Sequence, residues 1–265
     1  MIKKTWESVS KRWIAFSDNQ DIHREHLNTP AFLSCLPDLS GKDVIDVACG
    51  IGDNTNLLSK MDCRITGIDF CDEFIDVANK RYSSEKTKFI CMDAEKMSFA
   101  DNSFDIAVSF MALMDMEKPE SVMKEVFRVL KNEGLFFFSI IHPCFCPPEK
   151  NYVEKAGKYA KEVGAYFDVG QHTKKFEGFQ TYRYHWTLGM WIDYIIQAGF
   201  CLQSIIEPRP DNKLIEKHPH FKQVEDIPNN MIIVCYKKPN ACDVSSVMNP
   251  VNEAGAITTL NGGEL

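Results

Sequence analysis

Between Lys42 and Ile141, short apolar runs alternate with segments of helical period, a rhythm that few folds accept. Val44-Ile45-Asp46-Val47 reads as a strand that ends in the turn Ala48-Cys49-Gly50-Ile51-Gly52. A helix follows, with Asp53 or Asn54 expected as its cap and Leu57 and Leu58 facing inward. Arg64 to Ile68 is a second strand, ending at Asp69, and Asp72 to Tyr82 a helix with Phe74, Val77 and Ala78 on one face. Lys88 to Met92 is a third strand, ending at Asp93, and Phe104 to Phe110 a fourth. Pro119 opens a helix where a missing N–H costs nothing, with Val122, Met123, Val126, Phe127 and Leu130 as its buried stripe. Gly134 is the expected left-handed stop. Leu135 to Ile141 is so apolar that both faces of this fifth strand must be covered, the mark of a central strand in a parallel sheet. With right-handed crossovers, the pattern predicts an α/β fold around a doubly wound, mostly parallel sheet.

The flanks complete it. Residues 1–40 form a helical cap in two pieces. Trp6, Val9, Trp13 and Ile14 share a face of the first, and the second spans Asp21 to Leu36, with Pro30 expected to break or kink it. Residues 142–186, rich in Pro, Gly, Tyr, Phe and Lys, are too long for a simple connection and read as a substrate-side insertion or lid. The helix Thr187 to Ala198, stopped by Gly199, precedes the last two strands, Phe200 to Glu207 and Met231 to Tyr236, for a total of seven. The expectation is a single domain over 1–240 and a weakly held tail over 241–265.

A chain of 265 residues with 45% hydrophobic and 25% charged residues is ordinary for a globular protein, which excludes collagen-like, disordered and small disulfide-scaffold classes. Thirty basic against 37 acidic residues leave a charge of −7, which argues against a main role in gripping nucleic acid or an anionic membrane. The first residues are too polar for a signal peptide, and no apolar run approaches a membrane span. Ten scattered cysteines then read as reduced thiols in a cytoplasmic protein, expected as monomer or homodimer. His142, Cys144 and Cys146 lack the second ligand pair that zinc wants, so no metal is expected.

In an open parallel sheet, ligands bind beyond the carboxyl ends of the strands, where Asp46, Asp69 and Asp93 stand. Gly50-Ile51-Gly52 lets backbone approach a ligand, and Asp69 follows about 20 residues later, where a carboxylate can hold ribose hydroxyls. The layout therefore predicts a nucleoside-containing cofactor. Thr55 replaces the third glycine of a dinucleotide motif, and Asp53 puts negative charge where a pyrophosphate would sit, so NAD and FAD are disfavoured.

Asp46-Val47-Ala48-Cys49-Gly50-Ile51-Gly52 resembles the first motif of class I S-adenosylmethionine-dependent methyltransferases, with Ala48 where glycine is usual. Gly67-Ile68-Asp69-Phe70 resembles their ribose-binding motif, Met92-Asp93-Ala94 their adenine-binding one, and Arg128 to Gly134 the signature before strand five. His142-Pro143 and the stretch Ala198 to Pro208 resemble small-molecule members of the type 11 branch. The resemblance implies a seven-stranded Rossmann-like sheet and S-adenosyl-L-methionine as cofactor. It also implies roles. Asp46 would order the turn near the methionine amino group, and Ala48, Cys49, Gly50 and Gly52 would admit the methionine portion. Asp69 would hold the ribose, with Phe70 beside the adenine, while Asp93 and Ala94 would bind the adenine. Phe110 and Met111 would line the sulfonium side, and Arg24 would pair with the methionine carboxylate.

Methyl transfer asks for alignment and exclusion of water more than for side-chain chemistry, so the reaction is more legible than the acceptor. His142 and His185 are the candidate bases, each with the alternative of a packed polar residue. Asp115 could orient a substrate, although a loop carboxylate ordinarily does nothing specific. The aromatics Phe176, Phe179, Tyr182, Tyr184 and Trp186 read as lid core rather than a base-stacking platform. The expected activity is methylation of an oxygen, nitrogen or carbon of a small molecule. An RNA methyltransferase, a non-catalytic cofactor-binding protein and an NAD-dependent oxidoreductase stand as alternatives.

Overall fold

A computed structural model describes residues 2–19, 22–155, 158–176 and 178–239. The expected tail over 241–265 lies outside the described residues. The chain opens with α1 (Ile2–Asn19), a π-helical turn over Arg24–Asn28 and α2 (Thr29–Ser34). There follow β1 (Asp43–Val47), α3 (Asp53–Ser59), β2 (Arg64–Asp69), α4 (Asp72–Tyr82), β3 (Thr87–Cys91), β4 (Phe104–Phe110), a 3-10 turn (Leu113–Asp115), α5 (Pro119–Val129) and β5 (Leu130–Ile141). Two hairpins come next, β6 (Glu149–Lys155) with β7 (Lys158–Gly164), and β8 (Gly170–Phe176) with β9 (Phe179–His185). The chain then forms α6 (Leu188–Gln197), β10 (Cys201–Ile206), α7 (Asn212–Lys217), a 3-10 segment (Pro219–Val224) and β11 (Asn230–Tyr236).

Seven strands form one sheet in the order β10-β11-β5-β4-β1-β2-β3. β3, β2, β1, β4 and β5 are parallel, whereas β11 runs antiparallel to both β5 and β10. The order reverses between β1 and β4, so a crevice opens beyond the carboxyl end of β1. Side-chain alternation splits the core in two. Ile45, Val47, Phe136, Phe138 and Ile140 pack with α5 and α6 on one face. Val44, Ile106, Val108 and Phe137 pack with Phe32 of α2 and Leu58 of α3 on the other. The three consecutive phenylalanines of β5 are thus all buried because helices cover both faces.

Two local expectations are corrected, the cap of α3 and the stop of α5. Beside Pro30 the second helical piece changes character: the π turn ends at Asn28 and α2 begins at Thr29, with Pro30 in its first turn. The departure from α geometry comes just before it, as Thr29 N–H reaches Arg24 O across the π turn. The cap of α3 is Gly52, at φ +83°, with Asp53 already helical. Gly134 is not the left-handed stop of α5. Leu130 turns extended after Val129 to pair with Phe104, and Glu133 takes the positive φ of +65°. Gly134 is required by space, since a Cβ there would lie 2.8 Å from Lys131 O and 3.1 Å from Asp105 O. The expected insertion after β5 is built from the two hairpins.

The hairpin β8–β9 leans on α1. Phe176 and Phe179 stack at 4.7 Å near its tip and meet Trp13 and Phe16 edge-on. The aromatics of this segment therefore pack the roof together. The other end of α5 is closed by Lys237, whose buried Nζ donates to Phe127 O at 2.7 Å, Leu130 O at 2.6 Å and Asn102 Oδ1 at 3.1 Å. A cation on terminal helix carbonyls satisfies orphan acceptors and opposes the helix dipole.

Candidate active site

A cavity of about 400 Å³ opens at the carboxyl ends of β1, β2, β3 and β4. Its floor is the β1–α3 turn. Ala48 and Gly50 both take positive φ, +59° and +56°, and a Cβ on Gly50 would meet nothing within 4 Å. The backbone there faces open space, as a close-binding ligand requires. Asp69, at the end of β2, is nearly fully buried yet lines the cavity. Its Oδ2 accepts from Gly50 N–H at 3.0 Å and its Oδ1 from Cys71 N–H at 3.0 Å. Burial pushes its pKa up to about 6 against these backbone donors. Asp93 and Ala94 follow β3 on the adjoining wall, where Asp93 Oδ1 accepts from Glu95 N–H.

Of the expected cofactor residues, Arg24, Ala48, Cys49, Gly50, Asp69, Phe70, Asp93, Ala94, Phe110 and Met111 line this one cavity. Asp46 and Gly52 do not. Asp46 lies buried beneath the turn, where Thr55 Oγ1 donates to its Oδ2 at 2.6 Å and Oδ1 has no partner among the described residues. Burial, and to a lesser degree the nearby charge of Asp69, push its pKa up to about 7. Gly52 makes room for protein rather than ligand, because a Cβ there would sit 2.7 Å from the Phe89 ring and 3.0 Å from Ala78 Cβ.

Arg24 reaches the cavity from the π turn. It donates to Asp53 Oδ2 at 3.0 Å and to Ser17 O at 2.8 Å, and Tyr82 OH donates to Asp53 Oδ1 at 2.8 Å. Thr55, in place of a third glycine, holds Asp46, and Asp53 lines the cavity at the start of α3. A pyrophosphate at that helix terminus would meet a carboxylate, so a dinucleotide fits poorly. A cofactor with a ribose, an adenine and a zwitterionic amino-acid end fits the donors and acceptors present.

His142 and His185, the two candidate bases, are not among the cavity-lining residues. Cys144 N–H donates to His142 Nδ1 at 3.2 Å, which leaves Nε2–H to bond Glu207 Oε1 at 2.8 Å. His185 Nε2–H donates to Tyr166 O at 2.8 Å. Burial lowers the pKa of both rings. Each histidine ties the insertion or the chain leading into it to neighbouring segments. Cys144 and Cys146 are free thiols, and among the described residues no cluster of three ligating side chains could hold a metal.

Sequence reasoning placed Trp6 and Trp13 on a helix face but not on the cavity wall, which they line with Phe74, Met116 and Glu117. Their helical period was the available signal; the direction it faces is set by packing against α4 and β9. Asp115 is the other residue whose place emerges only here, buried on the wall beyond β4.

Such a crevice at the switch point of a seven-stranded sheet, with carboxylates at three successive strand ends, defines a nucleoside-cofactor enzyme of the Rossmann-like class. The sequence model of the methyltransferase domain matches residues 45–138, the stretch that builds β1 through most of β5. That match covers about a third of the chain, which over this stretch is similar to methyltransferase domains. The chain is 33% identical over 158 residues to the ubiquinone/menaquinone biosynthesis C-methyltransferase of Desulfotalea psychrophila, covering 57% of this chain and 61% of that one. It is 29% identical over 144 residues to the malonyl-[acyl-carrier protein] O-methyltransferase of a Marinomonas species, covering 53% of this chain and 51% of the other. The chain thus spans roughly half to three fifths of these two relatives. Among solved structures, an S-adenosylmethionine-dependent methyltransferase from Mesorhizobium loti shares the fold at a TM-score of 0.72 and 22% identity, over 78% of this chain and 96% of that chain. No helix among the described residues is long and apolar enough to cross a membrane.

Proposed function

We propose that the protein transfers a methyl group from S-adenosylmethionine to an oxygen, nitrogen or carbon of a small molecule, as a cytoplasmic monomer or homodimer. The observation that carries this reading is the convergence of Gly50, Asp69, Asp93 and Arg24 on one enclosed cavity. The bound cofactor supplies an electrophilic methyl group, and the protein's part is to hold and shield. Asp69 would accept from the ribose hydroxyls, Asp93 from the adenine amino group, and Arg24 would face the amino-acid carboxylate. Trp6, Trp13, Phe70 and Phe110 exclude water from the reacting centre. Residues 142–186, as a substrate-side insertion within a single domain over 1–240, would close the acceptor side.

A small-molecule acceptor suits a cavity whose basic lining among the described residues is Lys4 and Arg24, a poor surface for an RNA backbone. The curated relatives named above carry small-molecule or carrier-bound acceptors in their names, in keeping with this reading. Isothermal titration calorimetry with S-adenosylhomocysteine, with NAD as control, tests it. Saturable binding is expected, absent for NAD and weakened roughly tenfold or more by Asp69→Ala, which removes charge-assisted hydrogen bonds. NAD binding in its place would overturn the assignment.

A further inference from the structure

The aspartates on the cavity wall differ in one respect. Asp53 is held by Arg24 and Tyr82, Asp69 by two backbone amides, and Asp93 by the amide of Glu95. Asp115 lines the same cavity from the 3-10 turn after β4, with only 9% of the residue exposed. Its Oδ1 is sealed from solvent and has no hydrogen-bond partner among the described residues. A buried carboxylate oxygen left unpaired costs stability, and folds rarely keep one that serves nothing. Burial raises its pKa, while Lys174 and Arg183 of the β8–β9 hairpin draw it down. The hairpin strand β9 packs against this turn, and the buried Arg183 Nε is also unpartnered.

The surroundings indicate what is missing. Met111, Ala112 and Met116 flank Asp115 on the wall, and Trp6, Trp13 and Phe74 complete an apolar lining. Met111 is held at φ +53° by its N–H, which donates to Ser139 O at 3.0 Å and Ser139 Oγ at 3.1 Å, so the loop leaving β4 has a fixed start. If the cofactor lies as proposed above, its sulfonium side faces Met111, and Asp115 stands on the side from which an acceptor must come.

Resting on that reading, we propose that Asp115 receives the methyl acceptor, and that the acceptor is a small molecule with an apolar body that presents an O–H or N–H to this carboxylate. A carbon nucleophile without such a donor would leave Asp115 as unsatisfied as it is in the free protein. The acceptor is thus a molecule with a hydroxyl or amine beside its apolar body, whichever of its atoms takes the methyl group.

The test uses the full chain saturated with S-adenosylhomocysteine and three probes of nearly equal shape: p-cresol, p-toluidine, and the donor-less p-xylene. Affinities are read by ligand-observed NMR titration for wild type, Asp115→Asn and Asp115→Leu. We expect p-cresol or p-toluidine to bind wild type roughly tenfold tighter than p-xylene, as one hydrogen bond to a charged group allows. Asp115→Leu erases the preference and Asp115→Asn keeps part of it, since its amide oxygen still accepts. Affinity for S-adenosylhomocysteine stays within about twofold in both variants, which a general structural role would not allow. The proposal is overturned if the preference survives in Asp115→Leu, if no donor probe is preferred by the loaded wild type, or if the variants lose S-adenosylhomocysteine. Failure of wild type to bind S-adenosylhomocysteine would instead sink the methyltransferase reading on which the proposal rests.

Discussion

Thr55→Val removes one oxygen and little volume, and the structure predicts a penalty that depends on pH. Thr55 and Asp46 are both buried, and the 2.6 Å bond from Thr55 Oγ1 is the only one to the Asp46 carboxylate among the described residues. Asp46 has its pKa pushed up to about 7, against an ordinary aspartate value of about 3.9. The folded carboxyl keeps its proton to higher pH than the unfolded one. Its contribution to stability is therefore most favourable below about pH 4 and is lost as pH rises through 7. At about 1.4 kcal/mol per pH unit, the ionised form costs the fold roughly 4 kcal/mol above pH 7. In Thr55→Val the carboxylate loses its one donor, so its pKa rises further and the deficit grows where Asp46 must ionise. We expect a loss of about 2–3 kcal/mol at pH 8, but only about 1 kcal/mol at pH 5, where a neutral hydrogen bond is lost. For a domain of this size that is a fall in Tm of roughly 4–10 °C at pH 8. Urea denaturation at the two pH values reads both losses. An equal loss at both, or a larger one at pH 5, would refute the assignment of Asp46 as a buried carboxyl held by Thr55.

Gly52→Ala would drive a Cβ to 2.7 Å from the Phe89 ring at a φ of +83°, so strain and overpacking together should cost about 2–5 kcal/mol in urea unfolding. Lys237→Met leaves Phe127 O and Leu130 O without their charged donor and should lower stability by about 2 kcal/mol, seen as a lower urea midpoint. S-adenosylhomocysteine affinity should weaken as pH falls through about 6, because a protonated Asp69 is a poorer acceptor for ribose hydroxyls; titration calorimetry between pH 5 and 8 follows it. Arg24→Gln should weaken that affinity roughly tenfold while Asp53 keeps its bond from Tyr82, and an unchanged Kd would remove Arg24 from the site.

Periodicity and turn chemistry are local properties, and they were enough for the frame. The alternation between Lys42 and Ile141, the triple phenylalanine of β5 and the Asp-to-Gly turn together specify a doubly wound sheet and its ligand-binding end, because each encodes burial or backbone freedom within a few residues. Asp69 and Asp93 were legible for the same reason: strand ends can be read from the pattern, and strand ends in such a sheet meet at one edge. What a side chain faces is not local. Asp46 and Gly52 belong to the motif, yet Thr55 and Phe89 from elsewhere in the fold stand against them. His142 and His185 looked available for chemistry until Glu207 and the Tyr166 carbonyl, 65 and 19 residues away, took their ring nitrogens. Asp115 looked like an ordinary loop carboxylate, and became a buried acid on a cavity wall only when β9 folded over it. Desolvation and pairing depend on contacts between residues far apart in the chain, so the cavity's place at the strand ends could be read from the sequence, while the side chains buried on its wall were decided by tertiary packing.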